Sequence, residues 1–400
     1  MDVRIDPTAR APLDLRQPCP TSRPRVHQLA GLGVRQRAGH CRIFAIMTTA
    51  HINRIATAVP SHDVHDTYVR FARTILEPRS RTLFDRMATK AQIEHRYSVL
   101  APAEDPEGSS VDRDGVYARG RFPTVGQRMQ LFEKHAPILA VETVGKLELG
   151  DEARRITHVV VTSCTGMYAP GLDLELVEQC GLPASVERTM IGFMGCHAAL
   201  TGLKFARHVV RSTPAARVLL VDLELCSLHL QHTNDLERML AFLLFGDGCA
   251  ASVISSDPVG LALDRFHAAL LPDTRQLITW KVRDLGFDMF LSGRVPATIS
   301  RGLQAVTGAI LDGGSPEAID LWAVHPGGRS ILDAVEQGLE LRADALVASR
   351  DVLERFGNMS SATVMFVLES LLASATAGQR GCGMSFGPGL TAETMLFHKV

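Results

Sequence analysis

One order of elements occurs twice along this chain, and it constrains the fold more than any other feature. Between 127 and 211 a predicted helix leads into an apolar strand, a small polar loop and two further helices, the last of them apolar on one face. The same order returns between 302 and 372. Each unit has apolar faces that need a second layer, so the repetition predicts two similar α/β halves packed about a pseudo-twofold axis.

The repetition divides the chain into three parts. Residues 1–46 are rich in Arg and Pro and show neither helical nor strand periodicity, and Met47 stands just before the first strand-like run. We expect residues 1–46 to be a disordered extension, or the product of a start codon placed too early. Residues 47–262 form the predicted N-terminal half, which holds a candidate nucleophile. Residues 263–400 form the C-terminal half, which holds a candidate His and Asn.

Composition narrows the class of protein. A chain of 400 residues that is 46% hydrophobic can bury a large α/β core. Its net charge of -1 argues against a dedicated nucleic-acid-binding or membrane-surface protein, and its apolar runs are too short to span a bilayer. The eight cysteines include no CxxC pair and no zinc-finger spacing. We therefore expect reduced thiols in a cytoplasmic protein that binds no metal and no nucleic acid.

Cys196 is the first candidate for chemistry. It follows Gly192 and Gly195, which permit a tight turn, and it opens a predicted helix whose apolar stripe faces inward. Unpaired N–H groups and the positive end of the dipole at a helix start favour a thiolate, the nucleophilic form of cysteine. A cysteine here can also be a small hydrophobe at a crowded helix start. The partners of the thiol decide between these interpretations.

His325 and Asn358 are the candidate partners. His325 ends an apolar strand and precedes Pro-Gly-Gly, and the duplication brings it and Asn358 toward Cys196. An imidazole beside a thiol can form a thiolate–imidazolium pair, so we expect the Cys196 thiol to ionise well below the ordinary pKa of about 8.5. A His and an Asn can also donate two hydrogen bonds to an enolate or an oxyanion. This combination suits decarboxylation of a malonyl thioester.

Three motifs carry a family resemblance. They are WAVHPGG at 322–328, GNMSSA at 357–362 and FGPGL at 386–390. From about Ile52 to its end, the chain resembles the type III polyketide synthases, the chalcone-synthase-like branch of the thiolase superfamily. The resemblance implies an α/β fold of two similar thiolase-like halves that form a five-layered αβαβα core.

The resemblance also implies roles for single residues. Cys196 would carry the acyl group, and His325 with Asn358 would form the decarboxylation and oxyanion pair. Phe245 would be the gate between the CoA tunnel and the cavity. The residues that would contact CoA phosphates are Arg86 and Lys90. The turn that would shape cyclisation comprises Ser385, Phe386, Gly387, Pro388 and Gly389.

Several cavity positions depart from the pattern of the plant members. A second gate phenylalanine is replaced by Met289, a small glycine by Trp280 and a threonine by His229. Another wall threonine becomes Cys164, which precedes Thr165, and the first glycine of the GFGPG turn becomes Ser385. Ser360 belongs to the same predicted wall, and Ser360 or Ser361 is the expected N-cap of the last apolar helix. We therefore expect a reshaped cavity in which plant substrate assignments do not hold.

The expected protein is a homodimeric acyltransferase without a bound cofactor. It would load an acyl starter from CoA, extend it with malonyl-CoA and cyclise the chain to a pyrone or a phenolic ring. A fatty acyl starter is the main hypothesis, because Met289 and Cys164 leave an apolar route for a linear chain. The alternatives are a malonyl-CoA-only synthase of the phloroglucinol or naphthol type, a single condensation like that of ketoacyl-ACP synthase III, and a non-catalytic acyl-CoA-binding relative.

Overall fold

A computed structural model of the chain describes residues 48–400. The expectations for 1–46 therefore lie outside the described residues. The strands are β1 (His51–Ala58), β2 (His62–Asp63), β3 (Tyr97–Ser98), β4 (His158–Ser163), β5 (Glu187–Gly192), β6 (Val218–Leu225), β7 (Asp247–Ser255), β8 (Leu261–Leu270), β9 (Ile278–Arg283), β10 (Gly286–Leu291), β11 (Leu321–Val324), β12 (Arg380–Gly387) and β13 (Thr391–Lys399). The helices are α1 (His65–Ile75), α2 (Pro78–Ala91), α3 (Val125–Gly145), α4 (Leu172–Gln179), α5 (Ala198–Ser212), α6 (Leu236–Leu244), α7 (Val295–Ile310), α8 (Arg329–Gly338), α9 (Val347–Phe356) and α10 (Thr363–Ser374).

The pairing of the strands shows the duplication directly. The large sheet has the order β11-β12-β13-β8-β1-β7-β6-β4-β5, and a short β1–β8 ladder joins its two parts. On one side β4 runs parallel to β6, and β6, β7 and β1 are antiparallel neighbours. On the other side β11 runs parallel to β12, and β12, β13 and β8 are antiparallel neighbours. Outward from the β1–β8 ladder, each part of the sheet therefore has two antiparallel pairs followed by a parallel pair, and β5 is the one additional strand. The predicted α/β duplication is confirmed.

Helices α5 and α10 form the middle layer. Each contacts strands of both parts of the sheet: α5 packs on β4, β6 and β13, and α10 packs on β1, β7 and β11. Helix α3 covers β6 and β7 from the outside, while α7 packs on β8 and α8. These contacts give the order helix, sheet, helix, sheet, helix. Residues 363–368 of α10 are all buried, as a helix between two sheets requires.

Two local features differ from the expectations. The hairpin of β9 and β10, which carries Trp280 and Met289, was not predicted, because its strands are short and only half-buried. A single-turn helix over Ser360–Ala362 precedes α10, so neither Ser360 nor Ser361 is its N-cap. The Ser361 hydroxyl donates to the carboxylate of Glu224 instead. None of the helices within 48–400 combines the length and the apolar composition that a membrane crossing requires.

Candidate active site

Cys196 lies in a tight turn between β5 and α5. The turn is a short 3₁₀ helix over Gly195–His197 that leads directly into α5, so the nucleophile candidate stands at the start of a buried helix as predicted. Gly195 has φ +71, and a Cβ there would come within 2.5 Å of Pro388 Cδ. Both the backbone conformation and the close approach therefore require glycine at this position.

His325 directly follows β11, and its ring is unpartnered. The backbone N–H of His325 donates to the oxygen of Met384 in β12 at 2.8 Å, which extends the ladder by one residue. Nδ1 and Nε2 of His325 are both buried and have no hydrogen-bond partner among the described residues. A buried polar group without a partner is costly, so the ring is arranged for a group that enters the cavity.

The amide orientation of Asn358 is fixed by its neighbours. Its Oδ1 accepts from the backbone N–H of Ser360 at 2.8 Å and from the hydroxyl of Thr363 at 3.4 Å. Its Nδ2 donates to the oxygen of Gly327 at 3.2 Å. One N–H of the amide bonds Gly327, and the amide also hydrogen-bonds the Cys196 thiol in the cavity. The bond to Asn358 also holds Ser360 in its left-handed conformation, at φ +48.

These residues meet in one cavity of about 890 Å³. Cys196, His325 and Asn358 all line it, although 129 residues separate the first two in the sequence. The other expected wall residues that line it are Phe245, Met289, Cys164, Thr165, His229, Trp280, Ser360, Phe386, Gly387 and Pro388. Wall residues that the sequence analysis missed are Gly195, Cys226, Phe242, Ile278, Leu291, Val295, Ile299, Gly327 and Ile331. Most of the missed residues are aliphatic and carry no motif, so only tertiary packing identifies them.

The charge state of the site differs from the expectation. Burial raises the pKa of the Cys196 thiol to about 12, and hydrogen bonds from Ser360 and Asn358 only partly oppose this effect. Burial also lowers the pKa of the His325 imidazole to about 3. The predicted thiolate–imidazolium pair is therefore wrong for this structure: neither ring nitrogen of His325 bonds the Cys196 thiol, and both groups are neutral. The helix start favours a thiolate, but its effect is smaller than the cost of burying two charges.

The bulky wall residues are held rigidly. The indole N–H of Trp280 donates to the oxygen of Cys164 at 2.7 Å. The Nε2 of His229 donates to the oxygen of Thr165 at 2.6 Å, and its Nδ1 accepts from the backbone N–H of Phe287 at 3.3 Å. Burial lowers the pKa of His229 to about 3, so this imidazole is neutral. Both bulky side chains therefore form a fixed part of the cavity wall.

A second compartment of about 560 Å³ adjoins the cavity. The two share Cys226, Phe242 and Phe245 as lining residues. The far wall of the compartment includes Leu100 and Val111, and its lining is mainly apolar. The compartment therefore lies on the far side of Phe245 from the nucleophile candidate. Phe245 was predicted from the sequence, whereas the space behind it was not.

An open groove of about 1500 Å³ adjoins the cavity. Leu291, Val295, Gly327 and Ile331 line both, so these four residues stand where the groove and the cavity meet. Lys90 lines this groove, as the sequence analysis expects of a residue that contacts CoA. The other lining cation is Arg329, and Arg86 is not among the residues of the groove.

The turn expected at 385–389 begins later than predicted. Ser385, Phe386 and Gly387 are the last residues of β12, so only Pro388 and Gly389 lie outside the strand. Ser385 and Gly389 do not line the cavity. A Cβ on Gly387 would lie 2.4 Å from His197 Cδ2, so this strand end packs directly against the turn that carries Cys196. Among residues 48–400 no cluster of His, Cys, Asp and Glu side chains could hold a metal ion, and we assign no metal ligands.

Comparisons with known proteins agree with this geometry. Residues 33–258 match the family model described as "Chalcone and stilbene synthases, N-terminal domain", and residues 263–400 match the corresponding C-terminal domain. The protein named "Alpha-pyrone synthesis polyketide synthase-like Pks18" from Mycobacterium tuberculosis is 36% identical over 367 residues. That similarity covers 88% of this chain and 91% of the relative.

Solved structures give the same result. PKS-I from the brown alga Ectocarpus siliculosus is 29% identical with a TM-score of 0.77, over 88% of this chain and 98% of that one. The C-terminal type III polyketide synthase domain of Steely1 from Dictyostelium is 26% identical with a TM-score of 0.80, over 88% of this chain and 99% of that domain.

Proposed function

Because this chain belongs to the chalcone and stilbene synthase family and is a type III polyketide synthase, an acyltransferase, we propose that it extends a straight-chain fatty acyl starter on Cys196. Malonyl-CoA supplies each two-carbon unit, and the finished chain cyclises to a pyrone or a resorcinol-type ring. The observation that carries the proposal is the single cavity that holds an unpartnered imidazole, a fixed amide donor and a thiol.

Loading exchanges one thioester for another. As the sulfur of Cys196 attacks the carbonyl carbon of acyl-CoA, His325 accepts the thiol proton and returns it to the departing sulfur of CoA. No proton is gained or lost in this exchange. The neutral resting state of both groups means that the proton moves only when the substrate is in place.

Decarboxylation uses His325 and Asn358 as hydrogen-bond donors. The bond between the malonyl carboxylate and its neighbouring carbon breaks, CO₂ leaves, and the electron pair moves to the thioester oxygen as an enolate. Neutral His325 and the cavity-facing N–H of Asn358, which turns from the Cys196 sulfur, donate hydrogen bonds to that oxygen. The enolate carbon then attacks the acyl carbonyl on Cys196, and the Cys196 sulfur leaves as a thiolate. Hydrogen bonds from Ser360 and Asn358 stabilise that thiolate.

The shape of the cavity supports a linear starter. Trp280 and His229 close the side where a wide aromatic starter would need space, and both are fixed by hydrogen bonds. The apolar compartment behind Cys226 and Phe245 is open to a chain of methylene groups. The relative's name refers to the synthesis of α-pyrones by that protein, and a pyrone is one of the two products that we propose here.

The open groove supports CoA as the carrier of the substrates. Lys90, near the end of α2, and Arg329, at the start of α8, both line it. The Nη1 of Arg329 donates to the backbone oxygen of Lys90 at 3.4 Å, and its Nε lies 3.6 Å from a carboxylate oxygen of Asp333. Both contacts are long, so the guanidinium can turn toward a diphosphate. We propose Lys90 and Arg329, and not Arg86, as the main cationic contacts of CoA.

The fixed bulk of Trp280 and His229 favours one competing function. A cavity that is short on this side suits malonyl-CoA as its own starter, with phloroglucinol-type products. The two functions differ in whether the compartment behind Cys226 is used. Under our proposal it holds the starter, and under the alternative it remains empty.

The test supplies malonyl-CoA with acetyl-CoA or lauroyl-CoA and identifies the products by mass spectrometry. We expect lauroyl products from the wild type and at least about a tenfold loss of them in Cys226→Phe, which fills the passage. Acetyl-primed turnover should change less than about twofold in the same variant, and Cys226→Ser, which keeps the size, should resemble the wild type in both assays. Full turnover on malonyl-CoA alone, with lauroyl-CoA neither incorporated nor competing, would support the alternative.

A further inference from the structure

Two carboxylates lie buried beneath the cavity wall and are joined by hydroxyl groups. Asp222 and Glu224 are neighbours on the same face of β6, and both are fully buried. The Thr162 hydroxyl bonds Asp222 Oδ1 at 2.6 Å and the Ser361 hydroxyl at 3.3 Å. The Ser361 hydroxyl bonds Glu224 Oε1 at 2.6 Å. An unbroken hydrogen-bonded chain therefore runs from Asp222 through Thr162 and Ser361 to Glu224.

The surroundings of the two carboxylates are unequal. Glu224 Oε2 accepts from the backbone N–H of Cys164 and from the hydroxyl of Thr165, each at 2.9 Å. Asp222 Oδ2 is buried and has no hydrogen-bond partner within residues 48–400. Two buried negative charges this close repel each other, and an ionised carboxylate with an unpartnered oxygen is costly. One proton shared between the two carboxyl groups removes this repulsion, because only one of them is then charged.

No neighbouring group neutralises a second charge. The titratable groups that face Glu224 are the thiols of Cys164, Cys196 and Cys226, and the thiol of Cys249 faces Asp222. Burial keeps the pKa of each of these thiols above its ordinary value, so they are neutral. Burial likewise raises the pKa of Asp222 to about 7 and raises that of Glu224.

The hydroxyl chain permits two arrangements of the shared proton. In the first, Asp222 is protonated at Oδ1 and donates to Thr162, which donates to Ser361, which donates to Glu224. In the second, Glu224 is protonated at Oε1 and every bond in the chain is reversed. Moving the proton thus requires only that each hydroxyl accept one proton and donate its own to the next group. No side chain changes its position.

Thr165 connects this chain to the cavity. It lines the cavity, its hydroxyl donates to Glu224 Oε2, and its Oγ1 accepts from the backbone N–H of Leu225 at 2.9 Å. A charged carboxylate accepts roughly twice as strongly as a neutral one. When Glu224 is ionised, the Thr165 hydroxyl is held by it. When Glu224 is protonated, the hydroxyl is released to donate to a substrate carbonyl.

We propose that Asp222 and Glu224 share one proton through Thr162 and Ser361, and that the position of this proton controls whether Thr165 donates to a carbonyl of the growing polyketide. Asp222 and Glu224 are then positioning residues, and Thr165 is the group that touches the chain. The second part of the proposal rests on the polyketide synthase function proposed above. The first part, the shared proton, does not depend on it.

Two isosteric variants fix the proton at either end. Asp222→Asn reproduces the arrangement with the proton on Asp222 and leaves Glu224 charged. Glu224→Gln reproduces the arrangement with the proton on Glu224. Both substitutions keep an oxygen acceptor and nearly the same volume. Because they fix opposite states, general damage to the site would move both variants in the same direction, whereas the proposal requires opposite directions.

The shared proton is tested without any substrate. Infrared difference spectra of the full-length wild type against the double variant Asp222→Asn/Glu224→Gln, near neutral pH, should show one protonated carboxyl band that shifts in D₂O. The same band should be missing in Asp222→Asn. A wild-type spectrum without that band, or a band retained in Asp222→Asn, would overturn the shared proton whatever the enzyme synthesises.

The role of Thr165 is tested by the ratio of cyclised to linear products from malonyl-CoA and an acyl-CoA. Relative to the wild type, Asp222→Asn and Glu224→Gln should change this ratio in opposite directions, by about threefold or more each. In a Thr165→Val background the two variants should give the same ratio, and Thr165→Ser should restore the difference. Equal shifts in both variants, or a difference that persists without the hydroxyl, would overturn this role. If no polyketide forms in the wild type, the proposed function and the role of Thr165 both fail.

Discussion

Trp280 lies directly opposite Met289 across the β9–β10 hairpin, and its indole N–H donates to the backbone oxygen of Cys164 at 2.7 Å. The indole also meets the His229 imidazole edge-on, with ring centroids 5.3 Å apart. A ring held at its N–H and on its side is a fixed wall and not a swinging gate. The hairpin therefore sets the width of the cavity.

We expect Trp280→Gly to widen the substrate range. Removing the indole enlarges the cavity at the hairpin and leaves room for a wide aromatic starter, so the preference for coumaroyl-CoA over lauroyl-CoA should rise about tenfold or more. Trp280→Phe keeps most of the bulk and serves as the control. The measurement is competition between the two starters, analysed by mass spectrometry. An unchanged preference in Trp280→Gly would show that another residue sets the width.

Alkylation of Cys196 should report a neutral thiol. Because burial raises its pKa to about 12, the rate of inactivation by iodoacetamide in the free enzyme should keep rising above the ordinary thiol range. Near neutral pH it should be slower than that of a free cysteine. Protection by an acyl-CoA identifies the reacting thiol. A rate that reaches its plateau well below the ordinary value of about 8.5 would instead establish the thiolate–imidazolium pair.

Asn358 should be needed for decarboxylation, while Cys196 should not. Asn358→Ala removes one donor to the enolate oxygen, so malonyl-CoA decarboxylation should fall about 100-fold or more. Cys196→Ala should abolish starter loading and retain part of the decarboxylation. The two activities are followed separately, as release of CO₂ and as acylation of the protein by mass. Normal decarboxylation in Asn358→Ala would contradict the role assigned to its amide.

Arg329 should contribute to the binding of substrates that carry the CoA nucleotide, but not to the binding of pantetheine thioesters. Arg329→Ala and Lys90→Ala should each raise the KM for malonyl-CoA about tenfold, with little change in kcat, because a phosphate contact is lost equally in ground and transition states. Malonyl-pantetheine, which lacks the nucleotide, should be unaffected. Arg355→Ala, on the surface of α9, is the matched control. A larger effect of Arg86→Ala than of Arg329→Ala would restore the assignment made from the sequence.

Asp222 should make stability depend on pH. Its folded-state pKa of about 7 lies above the unfolded value of 3.8, so the folded protein binds the proton more tightly. The stabilisation is fully present below about pH 4 and is lost as the pH rises through 7. Asp222→Asn removes this loss. The difference in melting temperature between the variant and the wild type should therefore shift in favour of the variant as the pH rises from about 4 through 7. The expected gain corresponds to roughly 2–4 kcal/mol. A constant difference across the range would contradict the raised pKa.

The sequence alone determined the duplicated architecture and predicted the candidate reacting residues. Repeated periodicity is a local property of the chain, so the apolar strands of the two repeats, which correspond to β4 and β11, were visible without tertiary information. Cys196, His325 and Asn358 stand in motifs whose residue types limit the chemistry available. The fold presents these three residues beside the helix start at 198, the strand end at 324 and the fixed turn at 360.

Only the tertiary structure decided the protonation states and the shape of the substrate site. The pKa of Cys196 depends on how many buried neighbours exclude water, and this number cannot be obtained from spacing along the chain. The compartment behind Cys226 is enclosed by residues from distant segments, and of these only Phe245 was a candidate from the sequence. Arg329 shares the groove with Lys90 because α8 lies beside α2, although 239 residues separate the two cations. Patterns in the sequence specify which elements form, whereas dielectric environment, cavity shape and charge pairing arise only when those elements pack.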